Sequence, residues 1–135
     1  MEEHSTIRGD EDKSTVEFEI TFYENLLKER PNFIECMKAL AGLYTKTGKY
    51  QQGLSLDKRL AELVPVDATV FYNLACSYSL IGDVDRSLES LKKAIELGFT
   101  DFQYLKNDPD LANVRNDERF FALILLGAHA IAIHA

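Results

Sequence analysis

The fold is decided by two stretches of sequence: residues 37–65, MKALAGLYTKTGKYQQGLSLDKRLAELVP, and residues 71–99, FYNLACSYSLIGDVDRSLESLKKAIELGF. They align at an offset of 34 residues, and eight of the 29 aligned positions are identical. In the first copy the shared residues are Leu40, Ala41, Tyr44, Gly48, Leu54, Lys58, Glu62 and Leu63. A fixed period of this kind is typical of repeat proteins, in which each copy is one supersecondary unit.

Each copy predicts two helices joined by a tight turn. The first half carries an apolar stripe at helical spacing, formed by Met37, Leu40, Ala41 and Tyr44 or by Phe71, Leu74, Ala75 and Tyr78. Gly48 and Gly82 follow about one turn later, where a helix end favours a residue that tolerates positive φ. A second stripe then begins, formed by Leu54, Leu56, Leu60 and Leu63 or by Leu88, Leu91, Ile95 and Leu97. The pattern predicts an all-α protein of helical hairpins.

A 34-residue helix pair with small residues at the close contact and an aromatic residue one turn later resembles the tetratricopeptide repeat (TPR) family. The matching positions are Leu40, Ala41, Tyr44, Gly48, Tyr50 and Pro65 in the first copy, and Phe71, Leu74, Ala75, Tyr78, Gly82 and Ala94 in the second. The chain departs from the pattern at Gly53, Asp57 and Phe99, and Leu56 can replace the apolar surface missing at Asp57. The resemblance covers about residues 16–126. It implies a short solenoid with full repeats at 33–65 and 67–99.

The N-terminal segment is expected to add one helix without a partner of its own. Residues 14–30 correspond to the second helix of a preceding repeat, with Ser14 or Thr15 as N-cap. Residues 1–13 carry mostly charged and polar side chains and almost no apolar ones, so they are expected to form a flexible acidic tail.

The C-terminal segment is expected to close the other end of the solenoid. Residues 100–126 resemble the ending of many prokaryotic TPR proteins, whose physical purpose is to cover an open apolar face. Asp101 and Asp108 are predicted N-caps of short helices in this cap. Gly127 is a helix stop signal, so residues 127–135 are expected to form an apolar tail.

Composition predicts a single globular domain. The chain has 135 residues, of which 46% are hydrophobic and 27% charged, and this excludes collagen-like, low-complexity and wholly disordered classes. The net charge of −7 has the wrong sign for neutralising phosphates, so no nucleic-acid partner is expected. The apolar run from Phe120 to Ala135 has 16 residues, fewer than the roughly 20 that span a bilayer. Cys36 and Cys76 are predicted to be buried free thiols of a cytoplasmic protein.

No candidate catalytic or metal site has the spacing that its chemistry needs. The segment Gly42–Lys49 imitates a phosphate loop, but five residues rather than four separate its glycines. Two pairs of alternate aspartates lack the Gly and Glu of a calcium loop, so helix capping is the preferred interpretation for Asp83 with Asp85 and Asp108 with Asp110. His129 and His134 fall on different helical faces. We therefore predict no enzyme activity, no cofactor and no metal.

The resemblance also implies a binding surface, because the first helices of TPR repeats line a concave groove for an extended peptide or a partner helix. Carried over by position, the groove residues are Glu35, Lys38, Gly42 and Thr45, with Thr69, Tyr72, Asn73, Cys76 and Ser79 from the second copy. The Asn73 amide suits contact with a peptide backbone or a terminal carboxylate. The alternative is that Asn73 bonds to its neighbouring helix. The carboxylate clamp of chaperone-binding TPR proteins is incomplete here, since Gly42 replaces its first Asn and a third repeat is missing.

These observations predict a small non-catalytic module that binds a peptide or a helix of a protein partner. The alternative is a structural unit, a homo-oligomer, that self-associates through the unpaired helix or the apolar C-terminus. A groove of two repeats is short, so modest affinity is expected unless binding is multivalent. The sequence does not name the partner, since fold does not fix function.

Overall fold

The computed structural model describes residues 9–134, with side chains described for residues 13–130. Every regular element in this part of the chain is helical, as the repeats predict. A 3-10 turn at Pro109–Leu111 separates the sixth and seventh helices. The α-helices in chain order are α1 (Gly9–Glu29), α2 (Ile34–Lys46), α3 (Tyr50–Leu63), α4 (Ala68–Leu80), α5 (Val84–Glu96), α6 (Phe102–Asn107), α7 (Ala112–Arg115) and α8 (Glu118–His134).

The two repeats form the hairpins α2–α3 and α4–α5, and each hairpin turns at its predicted glycine. Gly48 has a φ of 81° and Gly82 a φ of 86°, in the left-handed region that favours glycine. The residue after each glycine donates its N–H to the carbonyl oxygen of the aligned tyrosine, Lys49 to Tyr44 at 2.7 Å and Asp83 to Tyr78 at 2.9 Å. These bonds satisfy a carbonyl group left free at the helix end.

Small residues let the two helices of each repeat approach closely. In the second repeat Ala75 is fully buried, and the hydroxyl of Ser87 on α5 donates to its carbonyl oxygen at 2.7 Å. Gly53 takes the place of this serine in the first repeat, where a Cβ would lie 3.0 Å from Oγ1 of Thr45 and 3.5 Å from the Ala41 carbonyl oxygen. The departure from the repeat pattern at Gly53 therefore serves the close contact between α2 and α3.

The core consists of two clusters along the solenoid. The first lies between α1, α2, α3 and the start of α4, and its buried members are Ile20, Met37, Leu40, Ala41, Tyr44, Leu56, Leu60 and Val70. The second joins α4 and α5 to the cap, which contributes Leu105, Leu111, Val114, Phe120 and Ile124. Each fully buried large apolar side chain contributes about 1.5–3 kcal/mol. The C-terminal segment thus covers the apolar face of the last repeat, as predicted.

Helix α1 begins at Gly9, whereas the sequence predicted a start near Ser14. The three acids that follow Gly9 favour a helix N-terminus, because they oppose the positive end of the helix dipole. The hydroxyl of Tyr44 on α2 donates to Oε2 of Glu24 at 2.5 Å, and the thiol of Cys36 donates to the Tyr23 carbonyl oxygen at 3.5 Å. These bonds fix α1 on the first repeat. The remainder of the predicted tail, residues 1–8, lies outside the described residues.

Helix α8 continues through Gly127 to His134, so the predicted stop at this glycine is wrong. A Cβ at Gly127 would lie 2.8 Å from Cζ of Phe102 and 2.9 Å from Cγ2 of Ile95. The glycine is therefore explained by helix packing and not by helix termination. None of the described helices combines the length and the apolar character needed to cross a membrane.

Four aspartates act as N-caps, and two of them, Asp83 and Asp108, belong to the pairs compared above with calcium loops. Asp101 accepts the Tyr104 N–H at 3.0 Å, and Asp108 accepts the Asp110 N–H at 2.9 Å, as the sequence predicted for both. In the repeats, Asp67 caps α4 and Asp83 caps α5.

Candidate functional site

A groove with a volume of about 490 Å³ lies on the face formed by α2, α3, α4 and the cap. Its lining includes five of the seven predicted site residues: Lys38, Thr45, Tyr72, Asn73 and Cys76. Glu35 and Thr69 are exposed but do not line this groove. Gly42, the other small position on α2, does line it.

The cap narrows the groove by folding over α4, which repeat alignment alone did not predict. Tyr72 is 4% exposed and Cys76 is 6% exposed, while Ser79 is fully buried and does not line the groove. Phe99 stacks on the Tyr72 ring with centroids 4.4 Å apart and planes at 10°. The prediction of an open peptide-binding face at these three positions of α4 is therefore corrected: the floor of the groove is α4 covered by the cap.

Asp108 joins the cap to the floor of the groove. Its Oδ2 accepts the hydroxyl of Tyr72 at 2.5 Å and the thiol of Cys76 at 3.8 Å, and Asp108 itself is only 6% exposed. Arg115 donates a hydrogen bond to the Asp108 backbone carbonyl oxygen. Burial, and then the nearby Asp108 charge, raise the pKa of Cys76 well above that of an ordinary thiol. The thiol is therefore held in its unreactive protonated form.

Asp57 is a second buried carboxyl group at the groove, in a position where the repeat pattern has a large apolar residue. It is 4% exposed and lies between α3 and α4, where the hydroxyl of Ser77 donates to its Oδ2 at 2.5 Å. Burial raises the pKa of Asp57 to about 6, although the hydrogen bond from Ser77 acts in the opposite direction. Leu56 is buried in the core beside it and supplies the apolar surface, as predicted.

Lys38 occupies the rim of the groove and is already paired. Its ammonium lies 3.3 Å from Oδ2 of Asp67, the N-cap of α4. Partial burial favours the protonated form of Asp67, but hydrogen bonds from the Val70 N–H and from Lys38 outweigh it and lower the pKa of this carboxyl group. The pair therefore links the two repeats at the entrance of the groove.

One group of potential metal ligands occurs among the described residues. The ligand atoms of Cys76, Asp108 and Asp110 all lie within 4.8 Å of one another. Two features make this a poor metal centre: the thiol is held protonated, and Asp108 already accepts three hydrogen bonds. The candidate phosphate loop is also not formed, because residues 42–46 belong to α2 and no strand precedes them in the described chain.

Two solved structures of MamA, a protein that contains tetratricopeptide repeats, share the architecture. The MamA RS-1 ArsTM double mutant aligns with a TM-score of 0.69 at 20% identity, covering 88% of this chain and 69% of that one. MamA 41-end from Desulfovibrio magneticus RS-1 aligns with a TM-score of 0.67 at 17% identity, covering 88% and 70%. The fold is a TPR-type helical solenoid.

Sequence comparison places a further protein beside this one. A chloroplastic protein of Arabidopsis thaliana is 33% identical over 106 residues, which make up 75% of this chain. The chain spans about a third of that protein, 32% of its length. No protein-family model matches the chain. The likenesses establish the solenoid, and the groove has to be interpreted from its own side chains.

Proposed function

We propose that this chain is a non-catalytic protein-interaction module that binds a peptide or a partner helix in the groove. The TPR-type solenoid supports a scaffold role, since such folds serve as platforms for other proteins. A groove of about 490 Å³ also falls within the roughly 300–1,000 Å³ range of ligand sites, enough for a short stretch of chain.

The observation that carries the proposal is the state of Asn73. It lies on the groove wall, it is exposed, and its amide makes no hydrogen bond to another described residue. The packing alternative requires a bond to a neighbouring helix, and that bond is absent from the described part of the chain. A carboxamide has two donors and an acceptor, which suits the N–H and C=O groups of a peptide backbone.

Gly42 offers a test that blocks the groove without disturbing the fold. A Cβ at this position meets nothing within 4 Å, and the residue lies inside α2, where glycine costs up to about 1 kcal/mol relative to alanine. We expect Gly42→Gln to fold at least as stably as the wild type. Its longer side chain would fill the groove and abolish capture of the natural partner from a native lysate.

Ser55→Gln is the matched control, because Ser55 is exposed on α3 and does not line the groove. This variant should capture the same protein as the wild type. Equal capture by both glutamine variants would contradict binding in the groove, even if a partner were found.

A second candidate function is self-association through α8, favoured by an exposed apolar stripe. Phe121, Leu125 and Leu126 are 56%, 69% and 64% exposed, and no Asp, Glu, Lys or Arg follows Arg119 in the sequence. An uncharged apolar face meets a second copy without repulsion, despite the acidic net charge. Light scattering tests it: Leu125→Lys should convert a dimer to a monomer, and a wild-type protein that is monomeric at high concentration would exclude this function.

A further inference from the structure

The floor of the groove carries two buried carboxylates that lack a cationic partner. Asp57 and Asp108 are 4% and 6% exposed, and both line the groove. Within the described part of the chain neither forms a salt bridge. Their donors are uncharged groups: the Ser77 hydroxyl for Asp57, and the Tyr72 hydroxyl, the Cys76 thiol and a backbone N–H for Asp108. Buried charges in proteins are otherwise paired, since isolating one is costly.

Asp110 adds a third, more accessible carboxylate at the cap end of the groove. It lies beside Asp108 and Cys76, and its side chain accepts no hydrogen bond from another described residue. Partial burial and the neighbouring Asp108 charge both raise its pKa, which shows that no nearby cation compensates it.

The cations of the groove do not reach this floor. The ammonium of Lys38 is bound to Asp67 at the rim, and Lys46 is an exposed residue of the last turn of α2. Arg115 donates to the backbone carbonyl oxygen of Asp108 and not to its carboxylate. The lining therefore contains three carboxylates that are not paired, with the positive charges kept at the outside.

An exposed aromatic ring stands next to these carboxylates. Tyr104 on α6 is 57% exposed and lines the groove, with its centroid 6.0 Å from that of Tyr72. The charge of Asp108 raises the pKa of Tyr104, which confirms their proximity. A cation is attracted both by the face of an aromatic ring and by carboxylates, and a guanidinium group combines stacking with forked hydrogen bonds.

We infer that the occupant of the groove is a peptide segment that carries a basic side chain, arginine in preference to lysine, seated between Tyr104 and Asp110 above Asp108. The inference rests on the proposed function and names the chemical class of its ligand. Charge complementarity carries it: an acidic, partly dry floor that lacks its own cation accepts one from the ligand.

The probe is a set of four eleven-residue peptide pools that differ at the central position. The flanks are equimolar mixtures of uncharged residues, and the centre is arginine, lysine, citrulline or glutamate. Fluorescence anisotropy measures the affinity of each labelled pool for the wild type, Asp110→Asn and Glu62→Gln. Asp110→Asn removes a charge without breaking a side-chain hydrogen bond, and Glu62 is an exposed residue outside the groove lining.

The arginine pool should bind the wild type about tenfold or more tightly than the citrulline pool, as expected for loss of charge-assisted hydrogen bonds. Asp110→Asn should reduce that ratio severalfold, and Glu62→Gln should leave it unchanged. Equal binding of the arginine and citrulline pools, blocked by Gly42→Gln, would overturn this inference and leave the proposed groove binding intact. An arginine preference that Asp110→Asn does not reduce would also overturn it. Failure of all four pools to bind would contradict the proposed function as well.

Discussion

Asp57 is a carboxyl group enclosed between α3 and α4, and its environment makes the stability of the protein depend on pH. Burial raises its pKa from 3.8 to about 6, with the Ser77 hydroxyl as its hydrogen-bond donor. Since the folded pKa exceeds the unfolded value, the folded state binds the proton more tightly. The protonated carboxyl therefore adds stability that is fully present below about pH 3.8 and is lost as the pH rises through about 6.

The variant Asp57→Asn is expected to remove this dependence while keeping an acceptor for Ser77. Relative to the variant, the wild type should lose up to about 3 kcal/mol of unfolding free energy between pH 3.5 and pH 7.5. Urea titrations of both proteins at the two pH values measure the difference, with Glu62→Gln as an exposed control. Parallel pH profiles for wild type and Asp57→Asn would show that Asp57 is not held in a raised-pKa environment.

Gly127 and Gly42 form a second pair of residue-scale predictions, because both are helical glycines with opposite surroundings. A Cβ at Gly127 would press on Phe102 and Ile95, so Gly127→Ala should lower stability by about 1–3 kcal/mol. A Cβ at Gly42 meets open space, so Gly42→Ala should raise stability by up to about 1 kcal/mol. Urea midpoints measure both. A Gly127→Ala protein as stable as Gly42→Ala would mean that α8 does not pack against α5 and α6.

At the scale of helices, the close contact inside each hairpin is the feature that the sequence predicts best. Ala75 is fully buried where α4 meets α5, next to the Ser87 hydroxyl. Ala75→Leu should therefore destabilise the protein by about 1–3 kcal/mol through overpacking. Ala112→Leu, at an exposed position, should change stability by less than about 0.5 kcal/mol. Equal urea midpoints for the two variants would contradict the assigned repeat register.

The helix ends were harder to predict than the helices, for a physical reason. The apolar stripes and the turn glycines depend on local periodicity, so α2 to α5 follow from the 34-residue repeat. The end of α8 depends on the fit of Gly127 against Phe102, a contact between distant parts of the chain. The start of α1 depends on acids in its first turn, which an apolar pattern does not detect. A glycine at the end of an apolar stripe is thus ambiguous between a stop and a close contact.

Across the whole molecule, the candidate site combines what the repeat predicts with what the cap adds. Lys38, Thr45 and Asn73 lie on the groove as their repeat positions predict. The acidic floor was missed, because Asp108 and Asp110 come from a segment outside the repeat register and Asp57 from the second helix of a repeat. The signal in the sequence was the charged residue at Asp57, in a position that the family pattern fills with an apolar side chain.

The central claim is that a protein partner sits in the groove, and site-specific photo-crosslinking in the native cell tests it most directly. A benzophenone side chain would replace Asn73 in the groove in one protein, and Glu62, outside it, in another. We predict that one partner protein is crosslinked from position 73 and not from position 62, and that Gly42→Gln abolishes the crosslink. A partner crosslinked equally from both positions, or one unaffected by Gly42→Gln, would contradict groove binding.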